Sequence, residues 1–495
     1  MGYSALCLNQ VPCLLQGCPV FQLHLCMSMK TFNLARFWAI ALLLIIHCNQ
    51  VALAQPDNEE KALHRTVDPV ILSGENLPDL IGIDIERIRI FAFRKGKAVP
   101  IPFQIDQRDS TGDWVWDVSY RQQFDSDDEG LHSPTTRKPA SHGRGTVDDQ
   151  DPWGKAVLDG NDVLVLMAQD LGEHSETPYD IANTALILEL EISDTLSAKR
   201  GWAYVAYFQG IPPPLSNTSY MHYSTEQHTV QSPLYKFNVT DDHPALITDL
   251  RVNNHPIVDR IKVKGEVTLS LPLPTRQIEF SEEDIHGYTE GFVEGPVRII
   301  KRNIAYLSLS GGLITTRELR CDNFYYARHA EIPVCLSIRF PVKEVSMTLT
   351  TDYHEPPFHR LFMGEAKDPM QALGDGRSRR SRMHQLGTEW IALDSHEASI
   401  VSIVVLPDTL EGYARTQPCL CRGQLKPVRT ETSPGEQTEA GLLITTSAEC
   451  PKGEHTVYGA YLISDQPYEP GDEDAALNLQ HNKLTTHVLR IPPIR

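Results

Sequence analysis

The sequence predicts a mainly β protein folded as two antiparallel β-sandwich domains. Three observations carry that expectation. Apolar and polar residues alternate with a period of two from one end of the chain to the other, as in strands with one face in a core. Capped amphipathic helical spacing is nowhere sustained, so no crossover helices are available to build a parallel sheet. The 34 prolines are spread through the chain as turn and edge punctuation rather than gathered in one segment.

In chain order, the first element is a leader. From Met29 a basic start containing Lys30 and Arg36 precedes the apolar run Phe37 to Ile46, and Ala52-Leu53-Ala54 offers a small-residue cleavage site. A membrane-spanning helix needs about 20 apolar residues, and this run ends at His47, so a signal peptide cleaved after Ala54 is expected rather than an anchor. Met27 and Met29 both give a signal of ordinary length, which makes the cysteine-rich stretch Met1 to Cys26 a start-site extension. A lipid anchor on Cys48 is disfavoured because the bulky His47 precedes it. Residues 1–54 are therefore assigned to the leader, and the mature chain is expected in the periplasm or outside the cell.

A smaller sandwich is expected over residues 60–210. Ile81, Ile83 and Ile85 alternate with Gly82, Asp84 and Glu86, and the polar pair Glu86-Arg87 then shifts the phase to Ile88 and Ile90, which predicts a bulge or bend there. Leu186, Leu188, Leu190 and Ile192 share one face opposite Glu189 and Glu191, and Trp202 to Phe208 is an aromatic strand. The stiff link Gly210-Ile211-Pro212-Pro213-Pro214 predicts the boundary, and a larger sandwich follows over 215–495. Its strands are expected at Val267 to Leu273, Val345 to Leu349, Ile400 to Leu406 and Val457 to Ile463. An acidic insert at 125–151, a basic stretch around Arg377 to Arg382 and a Thr/Pro/Glu/Gly segment near 427–440 read as long surface loops.

Composition narrows the function. With 41% hydrophobic residues in 495 positions the chain has apolar material for one large or two ordinary cores. Its formal charge is −19, and the leader holds two basic residues and no acid, so the acidity belongs to the mature chain. Such a surface repels phosphate backbones and anionic lipid, and nucleic acid is not an expected partner. The mature chain keeps Cys321, Cys335, Cys419, Cys421 and Cys450. In an oxidising compartment the simplest arrangement is two disulfides and one thiol, with Cys321 and Cys335 one pair and Cys450 joined to Cys419 or Cys421 the other. A zinc site is a poorer fit, since Cys419-Leu420-Cys421 has a single intervening residue where structural sites have about two to four.

Three constellations bear on chemistry. Asp125, Asp127, Asp128 and Glu129, with Asp148, Asp149 and Asp151, place carboxylates at alternate loop positions. A Ca2+ ion, which takes about six to eight oxygen ligands, is the one cofactor they would suit, and a solvated acidic loop needs no cofactor. Asp159-Gly160-Asn161-Asp162 and Asp106 to Asp113 read as tight turns into strands, with a shared metal site as the alternative for the aspartates of the second. Histidine and tyrosine groups occur at Tyr220, His222 and Tyr223, at Tyr325, Tyr326, Arg328, His329 and Glu331, and at His354, Glu355 and His359. Pro356-Pro357 forbids the helix that a zinc-protease motif would require in the last group. A lyase or hydrolase acting on acidic glycans needs a base, a partner acid and an arginine to neutralise a uronate, and Arg298, Tyr325 and His329 are the candidates. No nucleophile elbow, phosphate-binding glycine loop, dinucleotide fingerprint or haem-attachment motif is present.

The stretches Val99-Pro100-Ile101-Pro102-Phe103-Gln104-Ile105-Asp106, Leu158-Asp159-Gly160-Asn161-Asp162-Val163-Leu164-Val165-Leu166 and Glu294-Gly295-Pro296-Val297-Arg298 resemble segments of uncharacterised exported bacterial β-sandwich proteins. The larger domain of those proteins is similar to the galactose-mutarotase-like supersandwich of polysaccharide-processing enzymes such as polysaccharide lyases. The resemblance implies a supersandwich-like C-terminal domain, a glycan context and a bacterial periplasm. It implies no catalytic residue. In a eukaryotic secretory route Asn217-Thr218-Ser219 and Asn238-Val239-Thr240 would instead be glycosylation acceptors. The leading expectation is an exported binding or accessory protein for a carbohydrate or another cell-envelope component, with Trp114, Trp116 and Trp153 as aromatic platforms. An enzyme on acidic glycans is the alternative, and a structural envelope protein without a small ligand is a third.

Overall fold

A computed structural model describes residues 61–119, 156–176, 178, 181–239, 247–269, 276–309, 314–338, 342–353, 358–363, 370–371, 390–395, 397–422, 438–446 and 450–492. The expected leader with its cleavage site at Ala54 and the whole acidic insert 125–151 lie outside them. Among the described residues all strand pairs are antiparallel, and no helix is long and apolar enough to cross a membrane.

Four sheets stack in sequence. The outermost has five strands in the order Thr485–Ile491, Leu186–Ser193, Arg200–Tyr207, Ile88–Arg94 and Lys97–Pro100. Next comes a three-stranded sheet with Val163–Met167 between Pro69–Ser73 and Phe103–Asp106. Ile88, Ile90, Leu188, Leu190, Ala203 and Val205 from the first meet Val70, Leu72, Leu164 and Leu166 from the second in one core. Alternation along Val163–Met167 sends Val163, Val165 and Met167 the other way, onto Val293, Ile300 and Tyr326 of a twelve-stranded sheet. Covered on both faces, this strand reads as an unbroken apolar run, the pattern of strands buried on both sides.

The twelve-stranded sheet includes Ile285–Glu294, Arg298–Leu309, Leu319–Tyr326, His329–Glu331 and Gly453–Ser464. Its far face packs through Phe292, Ile299, Tyr325, Ile400, Val457 and Tyr461 onto a nine-stranded sheet carrying Tyr223, Tyr235, Phe237, Val252 and Ile261. The helix Asp472–His481 closes the near face beyond the small sheet, setting Ala476 against Trp390, Val401 and Leu462. Arg65 holds the end of that helix, donating to the carbonyls of Asn478 (3.1 Å) and Asn482 (2.5 Å), where the helix dipole favours a cation.

One sequence expectation changes. Ile81 to Ile85 is not a strand: Gly82 takes a left-handed φ of +79°, and a 3-10 turn over Ile85–Arg87, capped by the Asp84 carboxylate on the Glu86 N–H, makes the bend expected at Glu86. The link at 210–214 is crossed twice more. Val118–Ser119 pairs with Ile285–Glu294, and the C-terminal strand Thr485–Ile491 returns to pair with Leu186–Ser193. The described residues belong to one compact unit.

Candidate functional site

The three stretches that carry the resemblance meet at one point. Buried Gln104 accepts the backbone N–H groups of Val297 (3.2 Å) and Arg298 (3.0 Å) on Oε1 and donates through Nε2 to Asp106. Gly295 packs so tightly here that a Cβ would stand 2.1 Å from Gln104 Oε1. Arg298, 2% exposed, donates to Asp106 through Nε (2.9 Å) and Nη2 (2.7 Å), and its Nη1 reaches the Tyr326 hydroxyl at 3.0 Å. Burial works against the guanidinium charge, but Asp106 and Tyr326 outweigh it and hold the group above its ordinary range. Asp162, in the middle of the stretch Leu158 to Leu166, accepts the backbone N–H groups of Arg108 and Asp159 at 2.9 Å each. The motifs thus form a lock between the three- and twelve-stranded sheets.

On one side of the lock, His329 is fully buried and stacks on Tyr326, ring centroids 4.4 Å apart, with Nε2 3.5 Å from Glu331. Asp68 lies nearby, its carboxyl pushed up by burial against the opposing pull of its hydrogen-bonded partner Arg65. On the other side the same sheet face becomes accessible. Arg302 donates to Asp322 through Nε (2.6 Å) and Nη2 (2.9 Å) and contacts Asp113 through Nη1. The ladder between Ile285–Glu294 and Arg298–Leu309 slips between Thr289 and Gly291, and the bulged residue, Glu290, stands 3.6 Å from Arg302 and 3.8 Å from Arg320. A β-bulge re-aims a side chain in this way.

The loop following Asp106 covers that end. Asp109 Oδ1 accepts from the Thr111 N–H and hydroxyl and the Asp113 N–H, and Gly112 takes φ +81°, making the tight turn the sequence predicts. Beyond it Trp114 is buried, its indole donating to Asp322 at 2.8 Å beneath the Arg108 guanidinium, 3.8 Å from the ring centre. Trp116 is half-buried with Arg302 4.9 Å over its ring. The side chains of Asp113, Asp322 and Arg320 are 22%, 24% and 58% exposed. An aromatic face, carboxylates and the largely exposed guanidinium of Arg320 therefore share one water-accessible patch, and burial of Arg302 is outweighed by Asp322 and Asp113, which keep it charged.

Of the enzyme candidates, Arg298 and His329 lie on this sheet face and Tyr325 on the opposite one, where Asn323 donates to its hydroxyl at 3.2 Å; all three are closed to solvent. They line no common groove. Trp153 and Asp125, Asp127, Asp148, Asp149 and Asp151 lie outside the described residues. Tyr220 donates to Asp170 at 2.7 Å, His222 bonds Glu294 at 2.8 Å, and Tyr223 is buried. His354 and Glu355 lie outside the described residues, as does the side chain of His359. Cys321, Cys335 and Cys450 are thiols; Cys419 and Cys421 fall on strand Ala414–Arg422, their side chains outside the described set. A separate open cleft of about 470 Å³ is lined by Lys61, Arg94, Lys95 and Glu173, and the Lys61 ammonium is bonded there to the carbonyls of Ala168 and Gln169.

Sequence reasoning passed over Arg302, Asp322 and Glu290, and it named Tyr326 and Gln104 without giving either a role. Tyr326 was distinguishable from Tyr325 only by register, since Arg298 pairs directly with Tyr326. Gln104 did have a signal, standing two residues before Asp106 on one face of a strand.

No family model and no curated protein matches the sequence. Among solved structures, similarity is found to an alpha-mannosidase from Enterococcus faecalis V583 (TM-score 0.37, 10% identity, 83% of this chain and 47% of that one). A glycosyl hydrolase family 38 protein from Enterococcus faecalis gives a TM-score of 0.36 at 10% identity over 92% of this chain and 51% of that one. A beta-arabinopyranosidase gives 0.23 at 8% identity over 50% and 40%. The chain spans about half the length of these proteins or less. No residue role is carried over from them.

Proposed function

We propose that this chain is an exported carbohydrate-binding protein and that the patch formed by Trp116, Asp113, Asp322 and Arg320 is its contact surface. The observation that supports the reading is the half-buried Trp116 beside two partly exposed carboxylates and a guanidinium, all carried by paired strands and a tight turn. An indole suits the apolar face of a sugar ring, and carboxylates and guanidinium groups suit its hydroxyls. Ion pairs of Asp113 and Asp322 to Arg302 and of Arg320 to Glu290 pre-set the side chains, so binding orders few rotamers.

Calorimetric titration of the purified protein with a panel of neutral and uronate-containing oligosaccharides tests this. Binding of at least one glycan is expected, weakened tenfold or more by Trp116→Ala, with Arg320→Ala weakening uronate-containing ligands more than neutral ones. Absence of binding across the panel, or equal binding by Trp116→Ala, overturns the assignment. Release of unsaturated products during the titrations would replace it with a lyase.

A further inference from the structure

We propose that the open cleft between the Lys61 ammonium and the turn at Lys95-Gly96 is a second ligand site, taking the phosphate group of a small organic monoester. It shares no lining residue with the Trp116 patch and is independent of it. Three of its lining side chains, Lys61, Arg94 and Lys95, are cationic against the single carboxylate of Glu173, in a chain whose formal charge is −19. A local reversal of sign of this kind draws in an anion that the rest of the surface repels. Lys61 donates to the carbonyls of Ala168 and Gln169, both at 2.9 Å, and Arg94 to that of Asp170 at 3.4 Å. These acceptors are neutral, so they hold the side chains in place without cancelling their charge. Among the described residues no carboxylate forms a salt bridge with Lys61, Arg94 or Lys95.

The acids nearby are already engaged. Glu173 Oε1 accepts the Gly96 N–H at 2.5 Å. Asp170, buried behind Lys61 and Arg94, accepts the Tyr220 hydroxyl at 2.7 Å, and burial pushes its carboxyl up, which weakens it as a built-in counter-ion. The walls are fixed by the fold. Arg94 pairs with Lys97, leaving Lys95 and Gly96 as a two-residue turn with φ +53° and +71°, and positive φ at both positions is what the tight type I′ hairpin requires. The facing wall is bonded to the same strand, the Glu173 N–H donating to the Phe93 carbonyl at 3.0 Å. A guanidinium meets a phosphate through paired N–H groups, and an ammonium adds a point charge beside it. A phosphate monoester carries about −1.5 to −2 at neutral pH, a closer match to three cations than the single charge of a uronate. At about 470 Å³ the cleft falls within the range of about 300–1,000 Å³ that small-molecule sites occupy, so it has room for an organic group besides the oxyanion.

Calorimetric titration of the full chain with glucose 6-phosphate, glycerol 3-phosphate, inorganic phosphate and glucuronate tests the site. The variant to compare is Arg94→Gln/Lys95→Asn, which removes two of the cations and leaves an Asn-Gly pair, the sequence this turn favours, so the hairpin is kept. At least one of the two esters is expected to bind, at least tenfold more tightly than inorganic phosphate or glucuronate binds in the cleft. The double variant should weaken that ester at least tenfold with its melting temperature unchanged. Trp116→Ala should bind the ester as the unmodified chain does, which separates this site from the sugar patch. Absence of binding by both esters, equal binding by the double variant, or binding of inorganic phosphate or glucuronate that is as tight as the better ester and is lost in the double variant overturns the proposal.

Discussion

Arg298 carries its charge where water cannot reach it, and it is tolerable there only because Asp106 and Tyr326 surround it. Removing one partner leaves the other buried and uncompensated. Arg298→Met is therefore expected to lower the unfolding free energy by about 3–5 kcal/mol in denaturant titration. The double variant Asp106→Asn/Arg298→Met should recover part of that loss, because the orphaned carboxylate is gone. Equal losses for the single and double variants would mean that the ion pair is not the source of the effect. At this scale the sequence was only partly legible. Gln104, Asp106, Gly295 and Arg298 all stood in the stretches that drew notice, but that they belong to one lock depends on contacts between residues nearly two hundred positions apart.

Among elements, the C-terminal strand is the most informative. In Thr485–Ile491, Val488 packs against the core between the five- and three-stranded sheets, and Leu489 on the opposite face is 40% exposed. Adjacent positions on one strand should therefore respond differently. Val488→Asp buries a charge with no partner and is expected to cost about 1–3 kcal/mol or more, lowering the melting temperature. Leu489→Asp should stay within about 0.5 kcal/mol of the parent. Similar melting temperatures for the two would contradict the observed register. Strand alternation was readable from the sequence; that this strand closes the edge of a sheet by pairing with a strand nearly three hundred residues earlier was not, because antiparallel pairing leaves no local mark of its partner.

For the molecule as a whole, stacking four sheets buries carboxyls as well as apolar residues. Burial raises Asp68 and Asp170 above the ordinary aspartate value, and the hydrogen bonds that each accepts only partly offset this. A raised carboxyl contributes stability that is fully present below its unfolded-state value and is lost as pH rises through the folded-state value. Asp170 lies between the small sheet and the 210–220 link, accepting the Tyr220 hydroxyl, and so tests how the layers are joined. Asp170→Asn should gain stability relative to the parent as pH rises from near 4 toward neutrality, measured as the difference in unfolding free energy between the two proteins. A difference that does not change with pH would show that Asp170 ionises in the fold as freely as in the unfolded chain.

The sequence by itself determined that the chain is built of strands, where many of its turns fall, and that its surface is acidic, since side-chain alternation and turn chemistry are properties of a few consecutive residues. Tertiary structure alone decided that Val163–Met167 is covered on both faces, that Tyr326 rather than Tyr325 meets Arg298, that Trp114 is enclosed while Trp116 reaches the surface, and that Thr485–Ile491 joins the sheet of Leu186–Ser193. Those outcomes depend on which strand each strand finds and in what register. That choice is made by burial and pairing summed over the whole fold, and a shift of one residue would turn each of these side chains to the other face.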